Sequence, residues 1–477
     1  MYVATASQMK KIDRYLIEKE NYTIESLVEI ASEKLYEDLK IYRKPLLLIG
    51  PGNNGADALS LAKRYVQDGI KVAVCLWYFD KANALVKKLY HEIEEDLQVV
   101  VDVGEDYDII IDGIFGNGLD RPLKEELCFF LRQINVLDAK RVAIDIPTGI
   151  NANRGLLQQD GFKADKTISF MCQKLCFLNT DLDFYLGTLV IKSFGIEKEA
   201  MKQVGVASTI DLSMIIDLFH ERKYDDHKGK NGKITHFTGS THYVGASCLA
   251  AKASVFTGSG IVQVCSTMNV TSLVNHHCLE ATTCNQSVEE CSLKKQDAIL
   301  FGCGKGNTQR TREELEYLIC HYDKKLVIDA DGLNVLSQDP SILKQKKGEI
   351  VLTPHLVEFQ RLVGSYDDLE EAVEVFAKKS QVTLVVKGPN TLVYSDGKGY
   401  RNTTGNPGMA IGGMGDVLAG IITSFLGQGY SCLEASLLGV FIHGMCGDEI
   451  YKNQYCVLPS RLIEMIPSVL KQIEKMK

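Results

Sequence analysis

Gly50-Pro51-Gly52-Asn53-Asn54-Gly55 follows the apolar run Leu46-Leu47-Leu48-Ile49 and leads into a helical stretch. Its glycines match the Gly-x-Gly-x-x-Gly turn that carries a dinucleotide pyrophosphate, and Asp80 closes a later strand near where a ribose-binding acid would stand. The adjacent asparagines do not serve that purpose, which needs bare backbone. Their carboxamides can hydrogen-bond a polar ligand, give oxygen to a hard cation, or simply cap the turn and the helix start. Two more loops follow strands: Asp112-Gly113-Ile114-Phe115-Gly116-Asn117-Gly118-Leu119-Asp120-Arg121-Pro122, and Asp145-Ile146-Pro147-Thr148-Gly149. Parallel α/β sheets bind ligands beyond the carboxyl ends of their strands. Asn54, Asp112, Asp145 and Thr148 are therefore expected to converge on one crevice, and all four bring the oxygen donors that hard cations prefer. Alone, Asp112 or Asp145 would be an ordinary strand-end cap. Three such loops together point to a site.

A second constellation, Gly405-Asn406-Pro407-Gly408-Met409-Ala410-Ile411-Gly412-Gly413-Met414-Gly415-Asp416, runs into the apolar stretch Val417 to Ile422. Glycines at this density let successive N–H groups turn inward as an anion nest at a helix N-terminus. A carboxylate in the first turn can take a proton from a bound hydroxyl, a combination suited to phosphoryl transfer. The alternative, Asp416 as a plain helix cap, needs no such run of glycines. Other strand-then-loop segments complete a rim: Gly239 to Ala246, Gly302-Cys303-Gly304-Lys305-Gly306, Asp329 to Asn334, Thr353-Pro354-His355-Leu356-Val357-Glu358, and Lys387-Gly388-Pro389-Asn390-Thr391, which could meet nucleotide phosphate. His355 with one acid is a poor metal-ligand set. No Gly-x-x-x-x-Gly-Lys-[Ser/Thr] occurs, so the chain is not a P-loop enzyme.

The elements that must hold these loops are strands alternating with helices. Helices are expected near 7–20 and 23–41, then strands near 44–50, 70–76, 108–112, 141–145, 166–170 and 188–193. A fresh series follows, with strands near 234–238, 261–266, 298–302, 326–329, 350–353 and 383–387. Such alternation predicts an α/β fold of two domains, each a mostly parallel sheet sandwiched by helices. The charged stretch 220–230 reads as a linker between a domain at 1–219 and another at 231–477. No fixed-period repeat or low-complexity segment is present.

At 477 residues the chain has room for two or three cores, and a net charge of −8 gives no basic face for nucleic acid. No apolar run approaches the roughly 20 residues that span a bilayer, and the N-terminus carries no secretory signal pattern, so a cytoplasmic protein is expected. The 14 cysteines include no Cys-x-x-Cys pair. They read as reduced thiols, many buried as small hydrophobes, rather than as a zinc site.

Residues 1–215 resemble NAD(P)H-hydrate epimerases, on the strength of Gly50 to Asp57, Asp112 to Pro122 and Asp145 to Gly149. The resemblance implies a Rossmann-like domain. It implies that Asn53, Asn54, Gly55, Ala56 and Asp57, with Gly116, Asn117, Gly118, Leu119, Asp120, Arg121 and Pro122, bind the damaged cofactor. Asn54, Asp112 and Thr148 would hold K⁺, and Asp145 would bind substrate and act as the base. Ala56 and Ala58 stand where glycine is usual, and Thr148 where serine is common. Residues 228 to about 460 are similar to the ribokinase-like superfamily, more narrowly to ADP-dependent NAD(P)H-hydrate dehydratases. Thr353-Pro354-His355 and Asn406 to Ala410 are the specific part. By this resemblance Ala246, Gly304, His355 and Asp416 bind the hydrate, with Gly306 on the same rim. Lys387, Gly388, Pro389, Asn390, Thr391 and Gly415 bind the nucleotide, Mg²⁺ accompanies ADP, and Asp416 is catalytic. Ile411 and Met414 stand where threonines are common.

Together the resemblances imply a repair enzyme that interconverts the R and S forms of hydrated NADH or NADPH and dehydrates the S form, splitting ADP into AMP and phosphate. Its partners would be these small molecules, without nucleic acid or membrane, in a homo-oligomer. The alternative is a ribokinase-like small-molecule kinase carrying a non-catalytic N-terminal binding domain. A Rossmann dehydrogenase is a weaker alternative, because no hydride-acceptor site accompanies the glycine turn.

Overall fold

A computed structural model describes the chain except residues 102, 105, 158 and 159. It divides into two compact units, Met1–Ala207 and Ser208–Lys477. In the first, a parallel sheet runs in the order Thr188–Lys192, Lys166–Phe170, Lys140–Ile144, Ile109–Gly113, Pro45–Ile49, Val72–Leu76, Leu97–Val99. The central strand Pro45–Ile49 is buried throughout. Strand side chains alternate between faces. Leu47 and Ile49 therefore join the core beneath helices Ile24–Leu39 and Asn53–Gln67, while Leu46 and Leu48 join the core beneath helix Glu125–Ile134. Each such leucine contributes about 1.5–3 kcal/mol by leaving water.

The second unit's sheet runs Ala207–Ile210, Lys398–Asn402, Leu392–Ser395, Thr383–Val386, Glu349–Leu352, Lys325–Ile328, Ala298–Phe301, Lys233–Phe237, Ile261–Cys265, Thr282–Cys284. It is parallel except where Leu392–Ser395 pairs antiparallel with both its neighbours. Helix Met414–Gly427 is almost wholly buried and packs on helices Val244–Phe256 and Cys432–Tyr451. Both units thus have the expected helix-flanked, mostly parallel architecture. Among the described residues no helix is long and apolar enough to cross a membrane.

Two expectations need correction. The division between units falls after Ala207, the first residue of strand Ala207–Ile210, whereas the sequence suggested a linker at 220–230. Ser208 to Ile210 pair with Tyr400 to Asn402, and Ile210, Ile215 and Phe219 are buried in the second unit's core. The charged stretch is itself pinned to that unit. The His220 N–H donates to the Tyr430 hydroxyl at 2.7 Å, the two rings stack, and Arg222 donates to the Gly258 carbonyl. Its charges line the outside of a packed segment rather than a free tether. The cysteines also depart from the uniform thiols expected: Cys265 and Cys284 are disulfide-bonded, because their strands place them directly opposite one another.

Candidate functional site

The three loops of the first unit meet at the carboxyl ends of its central strands, as the parallel topology dictates. Helix Asn53–Gln67 starts at Gly52 without a side-chain cap, so its first N–H groups are left for a ligand. Gly55 is required there, because any side chain would run into the Gly50 carbonyl. A Cβ on Gly116 would lie 3.1 Å from Asn54 Oδ1 and 3.3 Å from Asp145 Oδ2, so both side chains reach one spot above that glycine. Asp112 is fully buried. Its Oδ1 accepts from the Ile114 N–H at 3.1 Å and the Thr148 hydroxyl at 2.8 Å, and its Oδ2 accepts from the Thr148 N–H at 2.7 Å. Burial pushes the Asp112 carboxyl up to about 6 despite these bonds. Asn54 Nδ2 is buried without a partner.

Asp145 sits at φ 61°, a left-handed backbone that aims its side chain out of the strand end. Its Oδ1 lies 2.7 Å from the Lys174 ammonium and accepts from the Ser169 hydroxyl at 2.8 Å. Lys174 is fully buried and also donates to the Ser169 hydroxyl and the Phe170 carbonyl, each at 2.9 Å. Two further carboxyls feel the Asp145 charge. Asp13, on helix Ala6–Lys19, is pushed up to about 6 by burial first and by Asp145 second, with Lys174 opposing. Asp57 is raised well above the usual carboxylate range by burial, then by Asp145 and Asp13. A carboxylate paired with an ammonium beside carboxyls whose hold on a proton is strengthened is the charge pattern of a general base next to candidate general acids.

Other predicted residues fall around this crevice unevenly. Asn53 is exposed, and its Oδ1 accepts from Asn83 Nδ2 at 3.1 Å. Ala56 and Ala58 are buried in the core, Ala58 facing Gly113, so their methyls do not crowd a ligand. Asn117 donates to the Ala6 carbonyl at 3.2 Å while its Oδ1 is buried and unpartnered. Leu119 points into the core and offers a ligand only backbone, whereas Gly118, Asp120, Arg121 and Pro122 are exposed.

In the second unit, Gly413 at φ 98° starts helix Met414–Gly427 and supplies no side-chain cap, so Asp416 is not the N-cap residue. Its carboxylate lies within 4.8 Å of Asp329 and of the Cys303 sulfur. Burial first, then Asp329, push Asp416 up to about 6, while Cys303 and Lys387 pull it down. Asp329 is tied by the Lys387 ammonium at 2.6 Å, the Thr353 hydroxyl at 2.7 Å and the Cys303 thiol at 3.5 Å. Lys387 was expected at a nucleotide phosphate. Its Nζ is occupied by Asp329, yet a Cβ on Gly415 would sit 3.2 Å from it, so the ammonium stands beside the helix start. Gly304 at φ 61° packs against Ala246 and Tyr243, and the Gly306 N–H donates to Asp331 Oδ2 at 2.7 Å. His355 caps helix Leu356–Val363: its Nδ1 accepts from the Val357 and Glu358 N–H groups, and its Nε2 lies 3.4 Å from Glu358. Both nitrogens are thus engaged within the cap. Gly388, Pro389 and Asn390 form a turn closed by Thr391, whose hydroxyl donates to the Gly388 carbonyl at 3.1 Å.

Sequence reasoning missed Asp13, Lys174 and Asp448. Lys174 follows strand Lys166–Phe170, so the strand-end rule could have found it. Asp448 accepts from the Gly405 N–H at 3.0 Å and from Asn406 Nδ2 at 2.8 Å, leaving Asn406 Oδ1 buried and unpartnered.

Residues 236–468 match the NAD(P)H-hydrate dehydratase family, and residues 26–176 match the YjeF-related protein N-terminus family. The chain is 28% identical to the bifunctional NAD(P)H-hydrate repair enzyme of Dictyoglomus turgidum, covering 99% of each. It is 30% identical to the enzyme of that name from Coxiella burnetii, covering 84% of each. Among solved structures, a ribokinase-like superfamily protein from Enterococcus faecalis is 28% identical with a TM-score of 0.52, covering 56% of this chain and 96% of that one. An ADP/ATP-dependent NAD(P)H-hydrate dehydratase from Bacillus subtilis, co-crystallised with ATP and Mg²⁺, is 26% identical with a TM-score of 0.51, covering 56% of this chain and 99% of that one.

Proposed function

The chain belongs to the bifunctional NAD(P)H-hydrate repair enzyme family, and on that footing we propose that its first unit epimerises hydrated NADH or NADPH while its second dehydrates the S form at the expense of ADP. The observation that carries the second half is Asp416, a half-buried carboxylate in the first turn of a glycine-opened helix, beside the Lys387 ammonium. Hydroxide leaves a saturated ring poorly; phosphate leaves well. Asp416 takes the hydroxyl proton as that oxygen bonds the terminal phosphorus of ADP, and AMP departs. The helix N–H groups and Lys387 stabilise the charge on the phosphoryl oxygens. The ring nitrogen's lone pair then expels phosphate, and loss of the neighbouring ring proton restores the double bond of the reduced cofactor.

In the first unit the same lone pair releases the hydroxyl once an acid protonates it, and water returns from the other face. Asp57 and Asp13 suit the acid role, and Asp145 takes the proton of the incoming water. The donor types support K⁺: among the described residues the Asp112 carboxylate is buried without a cationic partner and is bonded to the Thr148 hydroxyl, and the Asn54 carboxamide reaches the Gly116 loop of the same crevice. Bound K⁺ would neutralise Asp112 and fix these loops. Mg²⁺ is better placed on the nucleotide phosphates than in a protein cage, because Asp329 is already bonded three times and Cys303 offers a soft sulfur. A cytoplasmic homo-oligomer remains the expected setting.

The test is a mass spectrum of the products formed from hydrate epimers and ADP. Reduced cofactor, AMP and free phosphate are expected. A stable phosphorylated metabolite would instead establish the kinase alternative.

A further inference from the structure

Strands Ile261–Cys265 and Thr282–Cys284 form one edge of the second unit's sheet, and their last residues, Cys265 and Cys284, are bonded. A third sulfur, Cys291 Sγ, lies 3.5 Å from Cys265 Sγ. All three sulfurs lie within 4.8 Å of one another, so Cys291 sits to the side of the Cys265–Cys284 bond and must swing in line with it to exchange. Cys265 is buried, whereas Cys284 and Cys291 are half-buried and open to small solutes. This is the one disulfide among the described residues. In the reducing cytoplasmic setting proposed above, a disulfide is usually transient or redox-sensing, and a sensing cysteine is often poised next to a resolving one.

The surroundings connect this edge to the dehydratase cleft. Ser266, next after Cys265, donates its N–H to the Cys284 carbonyl at 3.1 Å and its hydroxyl to the Gly239 carbonyl at 3.3 Å. Gly239 opens the loop that leads to Ala246 and the packing against Gly304. The covalent state of the trio is therefore one residue removed from the backbone of that loop.

We propose that Cys265, Cys284 and Cys291 form a thiol–disulfide exchange site that also takes low-molecular-weight thiols. The Cys291 thiolate attacks Cys265 Sγ. The Cys291–Cys265 bond forms as the Cys265–Cys284 bond breaks, and the electron pair leaves on Cys284, which takes up the proton that Cys291 gave up. No oxidant or reductant is consumed. The product presents Cys284 as the free thiol at the sheet edge. An external thiolate enters by the same displacement, making a mixed disulfide with one cysteine and freeing its partner. Burial first, then Glu290, push Cys291 up to about 11, so its thiolate is scarce at neutral pH. The exchange belongs to the minutes-to-hours range of uncatalysed disulfide rearrangement.

The test is to equilibrate the full chain in mixtures of glutathione and glutathione disulfide, quench with acid, alkylate, digest and identify linked peptides by mass spectrometry. Wild type should yield both Cys265–Cys284 and Cys265–Cys291 linkages, with glutathione on the remaining cysteine as the buffer becomes oxidising. Cys284→Ser should yield Cys265–Cys291 alone, and Cys291→Ser should yield Cys265–Cys284 alone. The proposal fails if wild type shows only Cys265–Cys284 with Cys291 wholly alkylated. It also fails if all three cysteines are recovered as alkylated thiols at every ratio. The wild-type arm decides even if a variant does not fold.

Discussion

Both candidate sites depend on side chains whose surroundings set their charge. Asp416 is held near 6 by burial and Asp329, and as a base it works only when deprotonated. Dehydration should therefore rise with pH through about 6 and level off above it, a limb that a pH–rate profile would reveal. Asp416→Asn keeps the shape but cannot take the proton, and losing a general base typically costs about 10²–10⁴-fold in rate. The variant should stay folded, bind nucleotide and dehydrate at least ~100-fold slower. In the other unit, Lys174 and Asp145 act as one ion pair. Lys174→Met should slow epimer exchange as Asp145→Asn does, and the double variant should be little worse than either, since groups acting as a unit are not additive. Independent, multiplying losses in that rate comparison would separate the two roles. Asp145 was legible because it closes a strand in a polar loop. Lys174 also follows a strand end, beyond Lys166–Phe170, but its pairing with Asp145 depends on burial that its place in the sequence does not show.

Elements explain what could be read and what could not. The buried parallel strands announced themselves as apolar runs, and most of the candidate site residues proposed for both units lie in loops at their carboxyl ends. The antiparallel hairpin Leu392–Ser395 with Lys398–Asn402 went unread, although its Asp396-Gly397 turn carries the positive-φ signature of a tight hairpin. Its strands are short, and the second ends in two polar residues, Arg401 and Asn402, that are buried by partners distant in sequence, Glu370 and Val440. Helix Cys432–Tyr451 holds the loop before Asp416 by contacts that no spacing rule predicts: Asp448 grips Gly405 and Asn406. Water can replace Asp448 at the exposed Gly405 N–H, whereas losing the half-buried Asn406 bond costs about 1–3 kcal/mol, so Asp448→Ala should raise the KM for hydrate by up to about tenfold. Epimerisation by the same protein should be unaffected. An unchanged KM would mean that the loop holds its place without Asp448.

For the whole molecule, the boundary before Ser208 changes what a working fragment must contain. Ile210, Ile215 and Phe219 complete the second unit's core. Removing even one buried aliphatic side chain of this kind typically costs about 2–5 kcal/mol. A fragment 208–477 should be soluble and dehydrate, while one starting at Arg222 should aggregate or melt at much lower temperature; equal melting curves would disprove the boundary. Composition misled the linker reading, because a charged surface segment and a free tether look alike in sequence. The central claim joins both units in one reaction sequence, and it is tested most directly by supplying pure R hydrate with ADP and following reduced-cofactor absorbance. Wild type should convert the whole pool. Asp145→Asn should lag far behind wild type on R hydrate yet run normally on S hydrate, and Asp416→Asn should be slow on both. Normal turnover of R hydrate by Asp145→Asn, or of S hydrate by Asp416→Asn, would contradict the account.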